Sequence, residues 1–127
     1  MNRLSAIALS VALLAGLACS STSPDDGSAD FDVDVAGERF VVRSTHPETI
    51  AQLREAVAGR RAGFPIGRLR RGDGGFNAPW SWHLDPADTR LTEAAIEVCD
   101  GTPSYVEAHI SDFPTYCPWA ARIISER

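Results

Sequence analysis

Residues 31–58 read FDVDVAGERFVVRSTHPETIAQLREAVA, and this stretch decides the fold. Phe31, Val33 and Val35 alternate with Asp32 and Asp34, the period of a half-buried strand. Ala36–Gly37 is a tight-turn pair, and residues 38–43 (ERFVVR) return as a second strand, which makes a β-hairpin. The period then changes. Thr45-His46-Pro47-Glu48 has capping-box spacing with a proline in the first turn. Ile50, Leu53 and Val57 follow at helical spacing, and Gly59 supplies a C-cap. A helix with one apolar face is therefore expected over residues 47–58.

Downstream, residues 66–70 are expected to form a short strand and Gly72–Gly75 (GDGG) a turn. Residues 80–84 (WSWHL) alternate cleanly, with Trp80, Trp82 and Leu84 on one face and Ser81 and His83 on the other. Residues 85–90 read as a Pro-containing loop. Residues 94–99 (AAIEVC) alternate again and read as a strand, with a helix as the alternative. Thr102 caps a short helix over residues 103–110, and residues 120–125 (AARIIS) form a last strand. The expectation is an α+β domain, a small mostly antiparallel sheet carrying two helices.

The 127 residues allow one domain. With 44% hydrophobic and 23% charged residues, the composition is that of a globular chain. Twelve basic residues, all arginine, face 17 acidic ones, for a net charge of -5. That balance argues against nucleic acid as a partner.

The N-terminus reads as an address. Arg3 precedes an uncharged, almost wholly apolar run over residues 4–18, too short for a membrane span of about 20 residues but right for a signal-peptide core. The run ends in LAGLAC, which resembles the lipobox of bacterial lipoproteins. That resemblance implies cleavage after residue 18 and a lipid on Cys19, with plain secretion as the alternative. Residues 19–30 are a polar Pro/Gly/Ser-rich tether, so the folded domain is expected over residues 31–125. The expected location is the cell envelope, at the outer membrane or cell surface if the host has two membranes, and the membrane is the expected partner through the anchor.

Two cysteines remain. Outside the cytoplasm, Cys99 and Cys117 read as a disulfide worth about 3 kcal/mol. Zinc bound by both with His109 and His83, or a pair of buried thiols, are the alternatives left open. His83, Asp85 and His109 form an H-x-D…H pattern that resembles the facial triad of iron(II) oxygenases. They define the rival reading, a small metal-dependent enzyme. Otherwise no cofactor is expected.

Glu97, Asp100 and Glu107 have no spacing that pairs two of them for acid–base work, and read as a solvated face. Trp80 and Trp82 read as core; an aromatic platform including Trp119, Phe76 and Tyr116 is the alternative. Six arginines between Arg54 and Arg71 read as a solvated face balanced by the acidic stretch at residues 25–34, or else as a patch for an anionic surface.

Three segments, NAPWSWHLDP (77–86), AIEVCDGTPSYVEAHI (95–110) and YCPWAARII (116–124), stand in order behind ERFVVRSTHPETIAQLREAVAG (38–59). Together they resemble the N-terminal domain family of a slime-mould calmodulin-binding protein, over nearly all of residues 31–124. The resemblance implies the fold and supports the cysteine pair. It implies no catalytic residues, and calmodulin is not an expected partner of an exported bacterial chain. The resulting expectation is a non-catalytic binding or interaction module of unknown ligand. Its candidate surface is the Ser81/His83/Asp85 edge with His109 beside it.

Overall fold

The computed structural model describes residues 27–95 and 98–127. The expected signal peptide, Cys19 and most of the expected tether lie outside the described residues. The elements run β1 (Ala29–Val35), β2 (Glu38–Ser44), α1 (Pro47–Val57), β3 (Phe64–Arg71), β4 (Trp82–Leu84) and β5 (Arg90–Thr92). Then come α2 (Pro103–Ala108), a 3-10 turn (Ile110–Asp112), β6 (Thr115–Tyr116) and β7 (Ala121–Glu126). The α+β class stands as expected, and every strand pair is antiparallel. The strands divide into two sheets rather than one, however. β2-β1-β7 form the first; β3 is the spine of the second and pairs in turn with β5, β6 and β4.

The hairpin is as read. Phe31, Val33 and Val35 are buried, and Ala36 and Gly37 both have positive φ, 53° and 88°, the pattern that lets a two-residue turn follow the strand twist. The Asp34 carboxylate accepts the Gly37 N–H at 3.2 Å. β1 begins two residues before the expected domain boundary, at Ala29. Its aspartates are paired by Arg43 (Asp30), Arg127 (Asp32) and Arg39 (Asp34). The acidic stretch therefore does not balance the arginine-rich segment: Arg54 pairs with Glu126, Arg60 with Glu55 and Arg70 with Asp85.

Helix α1 buries Thr49, Ile50 and Leu53. Its capping box does not form. The N-cap is His46, without a side-chain cap bond, because the Thr45 hydroxyl turns instead to the Pro86 carbonyl and the His46 ring to that of Ala87. The C-terminus closes as predicted: Gly59, at φ 74°, donates to Ala56 O and Arg60 N donates to Glu55 O, the Schellman pattern. Thr102 caps α2 by accepting Tyr105 N–H at 3.3 Å, and the helix stops at Ala108, two residues short of the expected end.

The strand expected over residues 94–99 is not present. Ile96 and Glu97 lie outside the described residues. Ala94, Ala95 and Cys99 are irregular, Val98 lies in a bend, and the Val98 side chain is fully exposed. An alternation built on alanine offers little apolar area to hold a strand, and Arg90–Thr92 takes the place beside β3 instead. Strand β4 likewise starts at Trp82, not Trp80, because residues 77–80 form a turn closed by Trp80 N–H to Asn77 O at 3.1 Å.

One core joins both sheets and both helices. Phe31, Phe40, Leu53, Trp82, Val106 and Tyr116 lie within it. A smaller cluster of Phe64, Cys99 and Cys117 lies beside it. Among the described residues no helix is long and apolar enough to cross a membrane.

Candidate functional site

The residues expected to carry function lie on β4 and α2, and their polar atoms are largely spent inside the domain. Ser81 precedes β4. Its hydroxyl and backbone N–H both donate to the Glu107 carboxylate, at 2.6 and 3.0 Å, tying the strand to α2. His83 faces Arg70 across the ladder, and its Nδ1 lies 2.8 Å from the Gly72 carbonyl. Gly74 packs so closely on the His83 ring that a Cβ there would stand 2.8 Å away, and Phe76 meets the ring edge-on.

Asp85 is a turn residue. One carboxylate oxygen accepts Ala87 N–H at 3.0 Å and the other accepts Arg70 at 3.0 Å. These bonds, the Ala87 amide first and the Arg70 guanidinium second, hold its carboxyl below the ordinary aspartate value. His109 ends α2, with Nδ1 2.8 Å from Tyr105 O and its ring stacked on Tyr105 at 4.1 Å. The structure does not gather His83, Asp85 and His109. Among the described residues no three His, Cys, Asp or Glu side chains converge to hold a metal ion.

Cys99 and Cys117 are joined in a disulfide with Cα atoms 5.1 Å apart, which removes both thiolates from any zinc set. Cys117 N–H also donates to Cys99 O at 2.8 Å. Of the acidic candidates, Glu107 holds Ser81, while Asp100 accepts Gly101 N–H and Trp119 N–H. Glu97 lies outside the described residues.

The aromatic platform does not form. Trp82 and Tyr116 are fully buried and pack edge to face at 5.3 Å. Burial pushes the Tyr116 phenol well above its ordinary pKa while its O–H donates to Gly101 O at 2.7 Å. Trp80 donates to Arg39 O, and Phe76 lies beneath the Arg43 guanidinium at 4.6 Å.

Two features were missed in the sequence. Asn77 is wholly buried; it accepts Val41 N–H at 2.8 Å and donates to Trp82 O at 2.7 Å, which joins the two sheets. Its only signal in the sequence was a polar residue in an aromatic, proline-bearing segment. The second is Trp119, which is 55% exposed on a turn held by Asp100 and by Ala121 N–H to Pro118 O.

Trp119, Phe64, Ala95 and Ala121 line a recess of about 660 Å³ beside the disulfide, with Glu93 in its wall. Through Ala62, Gly63 and Ala121 it continues into a second recess of about 460 Å³ lined by Arg61, Arg122 and Ile124. The structure thus offers an open, partly cationic groove beside an exposed tryptophan, a shape suited to binding rather than to acid–base chemistry.

The family model for the N-terminal domain of the slime-mould calmodulin-binding protein matches residues 28–127. No curated protein and no solved structure matches the chain.

Proposed function

The chain belongs to the family of that calmodulin-binding protein's N-terminal domain, and from that membership we propose that it is an exported, lipid-anchored, non-catalytic binding module of the bacterial cell envelope. The observation that carries this reading is the Cys99–Cys117 disulfide, since structural disulfides persist in oxidising compartments and are rare in the cytoplasm. The apolar run over residues 4–18 and its LAGLAC ending support export and a lipid on Cys19, and a polar segment beyond Cys19 suits a tether. The non-catalytic part is supported by the way Ser81, Asp85 and Glu107 are committed to holding turns and elements together. The net charge of -5 speaks against nucleic acid.

Fractionation of a bacterial host expressing the full chain tests the proposal. The protein is expected with the membranes, and Cys19→Ser is expected to release it into the exported soluble fraction. Uncleaved protein in the cytoplasm, with Cys99 and Cys117 reduced, contradicts it.

A further inference from the structure

We propose that the groove along β7 receives an acidic peptide in extended conformation, which adds to the open edge of β7 as a further strand. This rests on the binding-module reading and names its surface and class of partner. Four consecutive residues of β7, Ala121, Arg122, Ile123 and Ile124, line the second recess. Side chains alternate along a strand, so a face contributes only every second residue. A wall made by consecutive residues is therefore the backbone edge. On its other side β7 pairs with β1, and among the described residues no strand pairs with this edge. Unpaired strand edges present amide and carbonyl groups that template another chain.

The facing wall leaves room for that chain. It is built from Ala56, Ala62 and Gly63. Gly63 has φ 143°, and a Cβ there would lie 2.9 Å from Thr92 O, so the position cannot take a larger residue without displacing β5. The charge of the recess selects the partner. Arg61 and Arg122 line it, no acidic residue does, and neither guanidinium has an ion-pair partner among the described residues. In a chain of net charge -5 this cationic edge is local, and it favours an acidic segment over a basic one. Where the groove passes Ala121, the exposed Trp119 and Phe64 provide a site for an apolar side chain of the same peptide.

The test is selection of a random peptide display library on the purified protein, followed by amide hydrogen exchange with a synthesised selected peptide. Acidic, proline-free, strand-forming sequences are expected, with exchange slowed across residues 121–124. Arg122→Glu should weaken binding about tenfold, and Trp119→Ala about tenfold or more. Both side chains are exposed, so far-UV circular dichroism should not change. Peptides without acidic bias, or protection mapped elsewhere, would overturn the groove and leave the binding-module reading intact. Binding to phosphatidylglycerol vesicles with no peptide selected would overturn it in favour of a lipid surface. Failure of the underlying reading registers separately, as uncleaved protein held in the cytoplasm.

Discussion

Replacing Asn77 should cost this domain more stability than any surface change of similar size. The side chain is wholly buried and satisfies two backbone groups in different sheets, the Val41 N–H and the Trp82 carbonyl. Asn77→Ala leaves both without a partner and away from water. An unsatisfied buried group costs about 1–3 kcal/mol, so the pair should cost about 3 kcal/mol after allowing for relaxation. At about 4–8 °C per kcal/mol for a domain of this size, Tm should fall by about 12–24 °C.

Asn77→Asp sharpens the argument. The mutant keeps an acceptor for Val41 but turns a carboxylate oxygen toward the Trp82 carbonyl. Burial and that repulsion raise the folded-state pKa of the new carboxyl above its unfolded value. Its stability is then complete below the unfolded value and is lost as pH rises through the folded one. The mutant should become more stable on acidification from neutral pH to about 5, where the protonated carboxyl regains a donor. Chemical denaturation of both mutants across that range is the assay. Loss of less than about 1 kcal/mol in Asn77→Ala, or a flat pH response in Asn77→Asp, would refute the claim that this residue clamps the sheets.

Other expectations follow from the same geometry. In the wild-type protein, the Arg127 hydrogen bond holds the Asp32 carboxyl below its ordinary value, and the Arg54 hydrogen bond does the same for Glu126. Stability from these groups is present above the unfolded values and is lost as pH falls through the folded ones, so Arg127→Ala should shallow the acid limb of a stability–pH curve. Cys117→Ser should lower stability by about 3 kcal/mol, read as a reduced denaturation midpoint, and dithiothreitol should do the same to the wild type but not to the mutant. Thr102→Ala removes the cap of α2 and should cost about 1 kcal/mol by the same measurement. Ala36 sits at φ 53°, which alanine disfavours, so Ala36→Asn should stabilise the hairpin by about 0.5–1 kcal/mol.

What the sequence made legible was local. The Phe31/Val33/Val35 alternation, the Ala36–Gly37 turn, the Gly59 C-cap and the Thr102 cap all act over a few residues, and each took the form its neighbours dictate. The misreadings arose where distant residues decide. Thr45 had the spacing of a cap, but the loop at Pro86–Ala87 competes for that end of α1. Residues 94–99 had the period of a strand, yet the bridge to Cys117 fixes Cys99 outside any ladder and Val98 faces solvent.

Ser81, His83 and Asp85 looked available because spacing says nothing of hydrogen bonds from Glu107, Gly72 and Arg70. The groove could not be read at all. It is made by the edge of a strand and by a helix-to-strand loop, which meet only in the fold.

The most direct test of an exported, lipid-anchored module is the intact mass of the protein recovered from the membranes of a bacterial host, measured under denaturing, non-reducing conditions. The expected species is a chain that begins at a diacylglyceryl-bearing Cys19 and weighs two hydrogens less than its dithiol form, with Cys99 and Cys117 bridged. A chain that retains Met1, carries no lipid and has both thiols free would contradict it.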